Sequence, residues 1–416
     1  MNIRALLKHL GPGFVTGASD DDPAGIGTYL QSGARFGYSQ LWIALFSFPV
    51  MACMQEMCGR IGAVTGQGLA AVILNNYARP ILIFIVIIQV VGNTINIGAD
   101  LSVMAESEQL LWHLPYLLLL GFTTIATLAL IVLVPYRVYC VYLKMLGLAL
   151  LTYVFSAFTI HVDWPRALSA ALIPHIEWNR PFLLMIVAVF GVTISTYEFF
   201  WQSSEEVEEL VSEGAIAREE ASRPVSTPGS LRFLKYDTIF GMFFSNVIML
   251  FVIIVAAATL HEHGRAGIES AAEAARVLRP MAGPYASAVF SIGIVSSGLL
   301  AIPVVAGSSA YAVAGAFGWP RSLSKPFWQE WRFYGIIAGS CLIGVLVNLT
   351  RVPPFVMLFY SAVANGVISP PLLLIVTHIA SNPKIMGNAT NGALSTLVGR
   401  LLAAFMVVSL AALFVA

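Results

Sequence analysis

Long apolar stretches recur along almost the whole chain, and they constrain its fold more than any other feature. A segment of about 20 apolar residues spans a bilayer as a helix, because a helix pairs its backbone amides and carbonyls internally. Hydrophobic residues make up 58% of the 416 residues and charged residues 11%, which excludes an ordinary soluble domain. The formal net charge is zero, so we expect no nucleic-acid partner. The sequence therefore predicts an all-α polytopic membrane protein in contact with the lipid bilayer.

The apolar stretches divide the chain into about eleven predicted transmembrane helices. The first runs from about residue 6 to residue 32, and the others begin near Ser39, Pro80, Leu114, Arg137, Pro181, Tyr236, Pro284, Phe333, Pro353 and Leu394. With the N-terminus in the cytoplasm, 14 of the 22 Lys and Arg residues fall on the cytoplasmic side. The positive-inside rule therefore predicts a cytoplasmic N-terminus and an external C-terminus. We expect the protein to lie in the plasma (inner) membrane of a bacterium.

The first predicted span is interrupted by three consecutive carboxylates, Asp20, Asp21 and Asp22. Ionisable side chains are costly at membrane depth and mark functional sites. Pro23 disfavours helix at the residue before it, and Gly25 loosens the segment further. We therefore predict a helix that stops, exposes backbone oxygens and starts again, which is tolerated where it lines a cavity or is buried in protein. The alternative is a loop outside the membrane, but the segment before Asp20 is too short to be a complete span.

The sixth predicted span carries a similar interruption. An apolar run is followed by Ile194 to Glu198 and then by aromatic residues, so Glu198 is a second ionisable group at membrane depth. Glu198 could instead mark the end of the span, because more glutamates follow from Glu205. The first and sixth spans each open a set of five, however, and paired discontinuous helices indicate a transporter with inverted repeats and a midplane site. The predicted organisation is a single transport domain, 1–416, with repeats at 1–162 and 181–379 and an additional C-terminal helix at 394–416.

Several short motifs in the chain form a recognisable set. Those in the first 70 or so residues are Gly11-Pro12-Gly13, Asp22-Pro23, Leu30-Gln31-Ser32-Gly33-Ala34, Phe36-Gly37-Tyr38, Leu41-Trp42 and Arg60-Ile61-Gly62-Ala63-Val64-Thr65-Gly66. Weaker ones follow at Ala99-Asp100-Leu101, Gly191-Val192-Thr193 and Lys384-Ile385-Met386-Gly387. Together they resemble the Nramp (natural resistance-associated macrophage protein) metal transporters. The resemblance implies an amino-acid-transporter-like fold with broken helices 1 and 6, alternating access, and a divalent-metal site between those helices.

The chain departs from that family's metal-binding motifs. The helix-one motif Asp-Pro-Gly-Asn is here Asp22-Pro23-Ala24-Gly25, so the aspartate is kept and the amide ligand is lost. At the helix-six positions where the family has Met, Pro and His, this chain has Ser195, Thr196 and Tyr197. The resemblance therefore implies a metal site at the same place with a different set of ligands.

Backbone oxygens at the ends of the half-helices complete the predicted site. The C-terminal end of a half-helix presents free carbonyls and a partial negative charge, which favours a cation. The predicted metal-binding residues are Asp22, Ser195, Val192, Ser19 and Gly25. The predicted pathway residues around them are Asp20, Asp21, Glu198, Thr196, Tyr197, Asp100 and Asn365.

The replacement of a methionine by Ser195 leaves a ligand set made of oxygen. A thioether sulfur favours transition metals, whereas carboxylate, hydroxyl, carbonyl and water oxygens suit Mg²⁺, Ca²⁺ or Mn²⁺. Mg²⁺ keeps several waters and is typically held by one or two carboxylates, which suits Asp22 and the room left by Gly25 and Ser195. The chain thus resembles the Nramp-related magnesium transporters most. We expect Mg²⁺, and also Mn²⁺, to be the imported substrate of a monomer without a cofactor.

Proton coupling is not expected. By the resemblance, the helix-three acid of the family falls at Val103 and its helix-six histidine at Tyr197, and the seven histidines lie away from both breaks. A divalent cation entering a negative-inside cell gains about 4.6 kcal/mol per 100 mV, which suffices for uptake. Asp100 and Glu198 remain as groups that could carry a proton. Proton-coupled import of Mn²⁺ or another transition metal therefore stays open.

Three other polar features have two readings each. Asn93 and Asn96 on the third span either line the pathway or hydrogen-bond between helices. Asn365 lies in the tenth span, which borders the pathway in the family that the chain resembles. The acidic run after Glu205 is more typical of a solvated helix extension than of a cation-gathering segment.

Two further functions fit the residues less well. A symporter of a small organic solute would need a neutral pocket, and the three aspartates argue against one. An intramembrane aspartyl protease could use Asp22 and Asp100, but nothing that resembles the motifs of such proteases accompanies them. We therefore expect a transporter and not an enzyme.

Overall fold

The computed structural model describes residues 11–134, 148–212, 214, 228–264, 267–348 and 352–413. Within these ranges the chain is helical almost throughout and contains no β-strand. The helices are α1 (Pro12–Asp20), α2 (Pro23–Phe36), α3 (Trp42–Thr65), α4 (Leu69–Asn76), α5 (Arg79–Trp112), α6 (Tyr116–Leu133), α7 (Leu151–Thr159), α8 (Trp164–Leu172), α9 (Arg180–Thr193), α10 (Thr196–Ser212), α11 (Pro228–Thr259), α12 (Ala271–Ala275), α13 (Arg279–Ala282), α14 (Ala286–Phe317), α15 (Trp331–Val347), α16 (Pro354–Ser381), α17 (Pro383–Met386) and α18 (Ala393–Ala412).

Eight helical segments of the described chain are long and apolar enough to cross a membrane. They contain α3, α5, α6, α9 with α10, α11, α14, α16 and α18. The broken first span (α1 and α2), the 17-residue helix α15 and the fifth span belong to the same predicted set. The predicted start of the fifth span near Arg137 lies outside the described residues, and its described end is α7. The all-α polytopic fold class predicted from the sequence is confirmed.

The two broken spans lie at the centre of the helix bundle. Helix α2 packs against α9, α11 and α16, and α10 packs against α3 and α14. Of the apolar part of the α9–α10 segment, 94% is buried inside the protein, against 28% for α18. The sixth span is therefore enclosed by other helices, whereas most residues of α18 are exposed or only partly buried.

Helix α1 lies against α11 with almost no side chain between their backbones. A Cβ atom added at Gly17 would lie 2.2 Å from the backbone carbonyl carbon of Gly241. Small residues at a helix crossing allow such close packing, which replaces the hydrophobic driving force that lipid does not supply. At the N-terminus of α1, the carboxylate of Asp237 accepts hydrogen bonds from the amides of Gly11 and Phe14 at 2.9 and 3.1 Å. Helix α11 thus holds α1 at its start and along its face.

The acidic run at the end of α10 is not the solvated extension that its composition indicates. Glu205, Glu206 and Glu208 are all buried. Glu208 accepts hydrogen bonds from the hydroxyl of Tyr311 and from the amide of Leu323. The hydroxyls of Ser322 and Ser324 donate to its other oxygen at 3.0 and 2.7 Å. Glu208 therefore joins α10 to α14 and to the segment that follows α14, and the expectation of a solvated face is wrong for these three residues.

Candidate functional site

The first predicted break is present and lies inside the protein. Helix α1 ends at Asp20 and α2 begins at Pro23, which occupies the first helical position, where its missing amide proton costs nothing. Asp22 is the N-cap of α2, and its Oδ1 accepts a hydrogen bond from the amide of Gly25 at 2.6 Å. Asp20, Asp21 and Asp22 are buried, with at most 2% of their surface exposed. The alternative of a loop outside the membrane is therefore wrong.

The second predicted break is present between α9 and α10. Helix α9 ends at Thr193 and α10 begins at Thr196. The last carbonyls of a helix lack intrahelical partners, and here the hydroxyl of Ser195 donates to the carbonyl of Val192 at 2.6 Å. Ser195, Thr196 and Glu198 are all buried. Glu198 thus lies inside α10 and does not mark the end of the sixth span.

The two breaks meet at Asp22. The hydroxyl of Tyr197, in the first turn of α10, lies 3.5 Å from Oδ2 of Asp22, a long and weak hydrogen bond. One helical turn further along α2 from Gly25, the hydroxyl of Tyr29 lies 3.2 Å from that of Thr193 at the end of α9. Both halves of the sixth span therefore contact the second half of the first.

A residue that the sequence reading left undecided lies at the centre of this arrangement. Asn96 on α5 directs its side-chain Nδ2 at Oδ2 of Asp22, at 3.1 Å, and at Oδ2 of Asp100, at 3.3 Å. Its Oδ1 accepts from the hydroxyl of Ser361 on α16 at 2.8 Å. Oδ1 of Asp100 also accepts from the amide of Ala24, at 3.1 Å. The four-residue spacing of Asn96 and Asp100, which places them on one helix face, was the available signal.

Asp20 and Asp21 face α11 instead of Asn96. Ser245 donates to Oδ2 of Asp20 at 2.8 Å and lies 3.3 Å from Oδ1 of Asp21. Glu198 accepts from the side-chain amide of Gln55 at 2.5 Å. Among the described residues, one oxygen of each of these three carboxyl groups has no hydrogen-bond donor. A proton or a cation at these oxygens would compensate the cost of burying them.

The remaining predicted residues form no hydrogen bond with Asp22 in the described part of the chain. The hydroxyl of Ser19 donates to the carbonyl of Thr16 at 2.8 Å. The hydroxyl of Thr196 is buried without a partner in the described part of the chain. Asn365 is buried, and its Oδ1 faces Gly92 on α5. Its role in the pathway stays a prediction.

Gly25 takes part in the site through its backbone only. Its amide donates to Asp22, and a Cβ atom added at Gly25 would lie 2.8 Å from the carbonyl oxygen of Asp20. A larger residue would therefore force the backbone at the break to shift. Across the described ranges, no three His, Cys, Asp or Glu side chains are grouped as a metal-binding cluster. The oxygen atoms at the two breaks belong to carboxylates, hydroxyls, carbonyls and side-chain amides.

The comparisons with known proteins agree with this architecture. The family model described as "Natural resistance-associated macrophage protein-like" (Nramp) matches residues 13–416. The chain belongs to the Nramp family. The resemblance drawn from the short motifs is thereby confirmed.

Similar proteins are named as divalent metal cation transporters MntH. That of Caldanaerobacter subterraneus is 24% identical over 417 residues, which cover 98% of this chain and 93% of the relative. That of Granulibacter bethesdensis is 23% identical and covers 92% of this chain and 83% of the relative. That of Verminephrobacter eiseniae is 27% identical over 300 residues, which cover 71% of this chain but only 65% of the relative. These names are names of transporters and not of enzymes, as the sequence predicted.

Solved structures share the fold. The manganese transporter of Eremococcus coleocola superposes with a TM-score of 0.77 at 17% identity, over 97% of this chain and 85% of its own. Mhp1, a nucleobase-cation-symport-1 family transporter, superposes with a TM-score of 0.60 at 14% identity, over 98% of this chain and 90% of its own. At such identities the likeness concerns the fold alone. This Nramp protein is an integral membrane transporter. Its orientation, the cellular membrane in which it resides, its oligomeric state and its repeat boundaries stay predictions.

Proposed function

We propose that this Nramp protein imports divalent metal cations, chiefly partly hydrated Mg²⁺ and also Mn²⁺, by alternating access without proton coupling. The observation that carries the proposal is the buried carboxylate of Asp22, at the point where the breaks in the first and sixth spans meet. A buried carboxylate at membrane depth needs a cation, a proton or several donors. Relatives named as divalent metal cation transporters support the choice of a cation.

The ligands available at the breaks are hard oxygen atoms. The hydroxyl oxygen of Ser195 and the carbonyl oxygen of Val192 are 2.6 Å apart, and each keeps a lone pair beside their shared hydrogen bond. Neighbouring oxygens around Mg²⁺ are about 2.9 Å apart in an octahedron with the usual bond length. The two oxygens are thus spaced to serve one ion after a small separation. Asp22 and several waters would complete a shell of the kind that Mg²⁺ prefers.

One thioether lies close to the second break. The sulfur of Met249 on α11 lies 3.8 Å from the hydroxyl of Thr193, at the end of α9. The position where the family has its methionine is occupied by Ser195, whose hydroxyl bonds to a carbonyl instead. Among the described residues, no sulfur atom hydrogen-bonds to Asp22, which supports a preference for hard cations over soft ones.

Transport without proton coupling is supported by the surroundings of the site. Val103, at the position of the family's helix-three acid, is buried in α5. His261 approaches the first span, but at the carbonyl of Ala34, twelve residues and about 18 Å along α2 from Asp22. The membrane potential alone then drives uptake, with about 4.6 kcal/mol per 100 mV for a divalent ion.

A second candidate is proton-coupled import of Mn²⁺ or another transition metal. The observation that favours it is the chain of hydrogen bonds from Asp22 through Asn96 to Asp100, which brings a second buried carboxylate next to the site. Asp20 and Glu198 are further places for a proton, since each is buried with one carboxyl oxygen that has no donor in the described part of the chain. An organic-solute symporter has only the shared fold of Mhp1 in its favour.

Flux into proteoliposomes separates these candidates. Vesicles that contain the full chain receive Mg²⁺ or Mn²⁺ outside and a negative-inside potential, and internal cation and internal pH are recorded together. We expect potential-driven uptake of both ions without internal acidification, and competition by Mg²⁺ stronger than by Cd²⁺. Acidification in step with uptake would replace the first candidate by the second. Absence of flux for every divalent cation would overturn both.

A further inference from the structure

Asn96 occupies the position that a cation bound to Asp22 would need. Oδ1 of Asp22 is engaged by the amide of Gly25 at 2.6 Å, so Oδ2 is the oxygen available to a ligand. The side-chain NH₂ of Asn96 approaches this oxygen at 3.1 Å. Its hydrogens carry partial positive charge, so it partly balances the carboxylate in the way that a cation would. A cation approaching Oδ2 would be repelled by the same NH₂ group.

The Oδ1 atom of Asn96 is hydrogen-bonded to the hydroxyl of Ser361, which can both donate and accept a hydrogen bond. Its Oδ1 receives a hydrogen bond from the hydroxyl of Ser361 at 2.8 Å. Both side chains are buried, with 1% of their surface exposed. A serine hydroxyl carries one proton and two lone pairs, so it can pair with a carbonyl oxygen or with an NH₂ group. The hydrogen bond to Ser361 therefore survives if the carboxamide turns over.

A rotation of about 180° about the Cβ–Cγ bond exchanges the oxygen and nitrogen of the carboxamide with almost no change in shape. In the rotated form, Oδ1 faces Asp22 and Asp100, and Nδ2 donates to Ser361. Without a cation this form is unfavourable, because a carbonyl oxygen would face two carboxyl groups. With a divalent cation at Oδ2 of Asp22 it becomes favourable, because the carbonyl is then one more hard oxygen ligand. The state of the carboxamide thus depends on the cation.

We propose that Asn96 is a ligand of the transported cation, and that its carboxamide turns over when the cation binds. In the empty site it donates to Asp22 and Asp100, and in the loaded site it offers Oδ1 to the cation while Ser361 accepts from Nδ2. This inference rests on the proposed function, since it requires a divalent cation at Asp22. The side-chain amide ligand would thus come from α5. It could not come from position 25, because a side chain there would collide with the backbone of Asp20.

The test is the affinity of the purified full chain for Mg²⁺ and Mn²⁺, measured by titration calorimetry. The variants are Asn96→Leu, which keeps the volume without polar atoms, and Asn96→Asp, which keeps an oxygen but cannot donate. The matched control is Asn93→Leu, because Asn93 lies on the same helix and donates to Val305 and Ser309, away from Asp22. We expect Asn96→Leu to weaken binding by at least about tenfold, as loss of a group at a metal site does. Asn96→Asp should bind at least as tightly as the wild type, and the control should remain within about threefold.

The opposite ranking would overturn the inference. If Asn96 were only a donor that competes with the cation, Asn96→Leu would bind at least as tightly as the wild type. Wild-type affinity in Asn96→Leu would also overturn it, while leaving the proposed function intact. Failure of the wild type to bind either cation would overturn the proposed function and this inference with it. If Asn96→Leu does not fold, the infrared comparison of the wild type with Asn96→Asp decides: a carboxamide shift confined to the wild type supports the inference, and the same shift in both overturns it.

Difference infrared spectra provide a readout that a structural role would not change. Addition of Mg²⁺ should shift a side-chain carboxamide carbonyl band in the wild type and in Asn93→Leu. The shift should be missing in Asn96→Asp, which has no carboxamide at that position. A shift of the same size in Asn96→Asp would overturn the inference.

Discussion

The hydroxyl of Tyr197 and the NH₂ group of Asn96 approach the same oxygen, Oδ2 of Asp22, at 3.5 and 3.1 Å. One comes from the second half of the sixth span and the other from α5, so three helices meet at a single atom. Any relative movement of these helices changes the donors around that oxygen. A cation at that oxygen would therefore favour one arrangement of the helices over another, as the proposed alternating access requires.

Removal of the charge of Asp22 should abolish transport without unfolding the protein. Asn is as good an N-cap as Asp, so Asp22→Asn keeps the start of α2 while the carboxylate is lost. We expect divalent-cation flux to fall by more than about 100-fold. This exceeds the loss of about 10- to 100-fold that follows mutation of a residue hydrogen-bonded to a metal ligand. Proteoliposome flux and a size-exclusion profile measure the two effects. The control is Asp163→Asn, another N-cap aspartate, which caps α8 away from the site. Retention of normal flux in Asp22→Asn would contradict the assignment.

Introduction of sulfur at the second break should change the ion preference. Ser195→Met places a soft ligand at the position where the hydroxyl now bonds to Val192. We expect the affinity for Cd²⁺ relative to Mg²⁺ to rise by about tenfold, or about 1.4 kcal/mol. Competition binding measures this ratio. Met249→Leu, which removes the sulfur that faces Thr193, should leave the ratio unchanged. An unchanged affinity ratio of Cd²⁺ to Mg²⁺ in Ser195→Met would contradict the proposal that the oxygen of Ser195 sets the ion preference.

The contact between α1 and α11 should tolerate no added methyl group. In Gly17→Ala the new Cβ would lie 2.2 Å from the backbone of Gly241, so the two helices must separate. We expect a loss of stability of about 1–3 kcal/mol, seen as a lower apparent Tm. Gly121→Ala is the matched control, since a Cβ there has no neighbour within 4 Å. Its Tm should equal that of the wild type or exceed it slightly, because alanine is the better helix former. Equal Tm values for both variants would contradict the packing described.

Loss of the buried charge of Glu208 should loosen the end of α10. Glu208→Gln replaces one acceptor oxygen by an NH₂ group, which then faces either the donors of Tyr311 and Leu323 or the hydroxyls of Ser322 and Ser324. Donors left without an acceptor cost about 1–3 kcal/mol, so we expect a lower apparent Tm. Glu262→Gln, at an exposed position, is the control and should leave the Tm unchanged. A variant as stable as the wild type would show that the carboxylate is not needed there.

Both breaks could be predicted from the sequence because their causes are local. Pro23 sets the start of α2, and the aspartate before it supplies the N-cap. The polar segment around Ser195 interrupts an otherwise apolar run in the same way. Such features act within a few residues and need no knowledge of the tertiary structure.

Hydrogen bonding of Asn96 between helices was one of its two predicted roles, but the partners of Asn96 and Glu208 could not be predicted because they are distant in sequence. Asn96 meets Asp22 across 74 residues and Ser361 across 265. The donors to Glu208 are more than 100 residues away, so a run of glutamates looked like a solvated face. The residue type alone indicates how much free energy the burial of a polar side chain costs. The hydrogen bonds that offset this cost become visible only in the packing of the helices.

The position of the bound cation tests the central claim most directly. Crystals of the full chain grown with Mn²⁺ and measured at the manganese absorption edge give an anomalous difference map that locates the ion. If the cation binds at Asp22 as proposed, the map will show one peak within bonding distance of Oδ2 of Asp22. The peak will lie between the break at Asp21 and the break at Ile194. A peak elsewhere, or no peak at a Mn²⁺ concentration that supports transport, would contradict it.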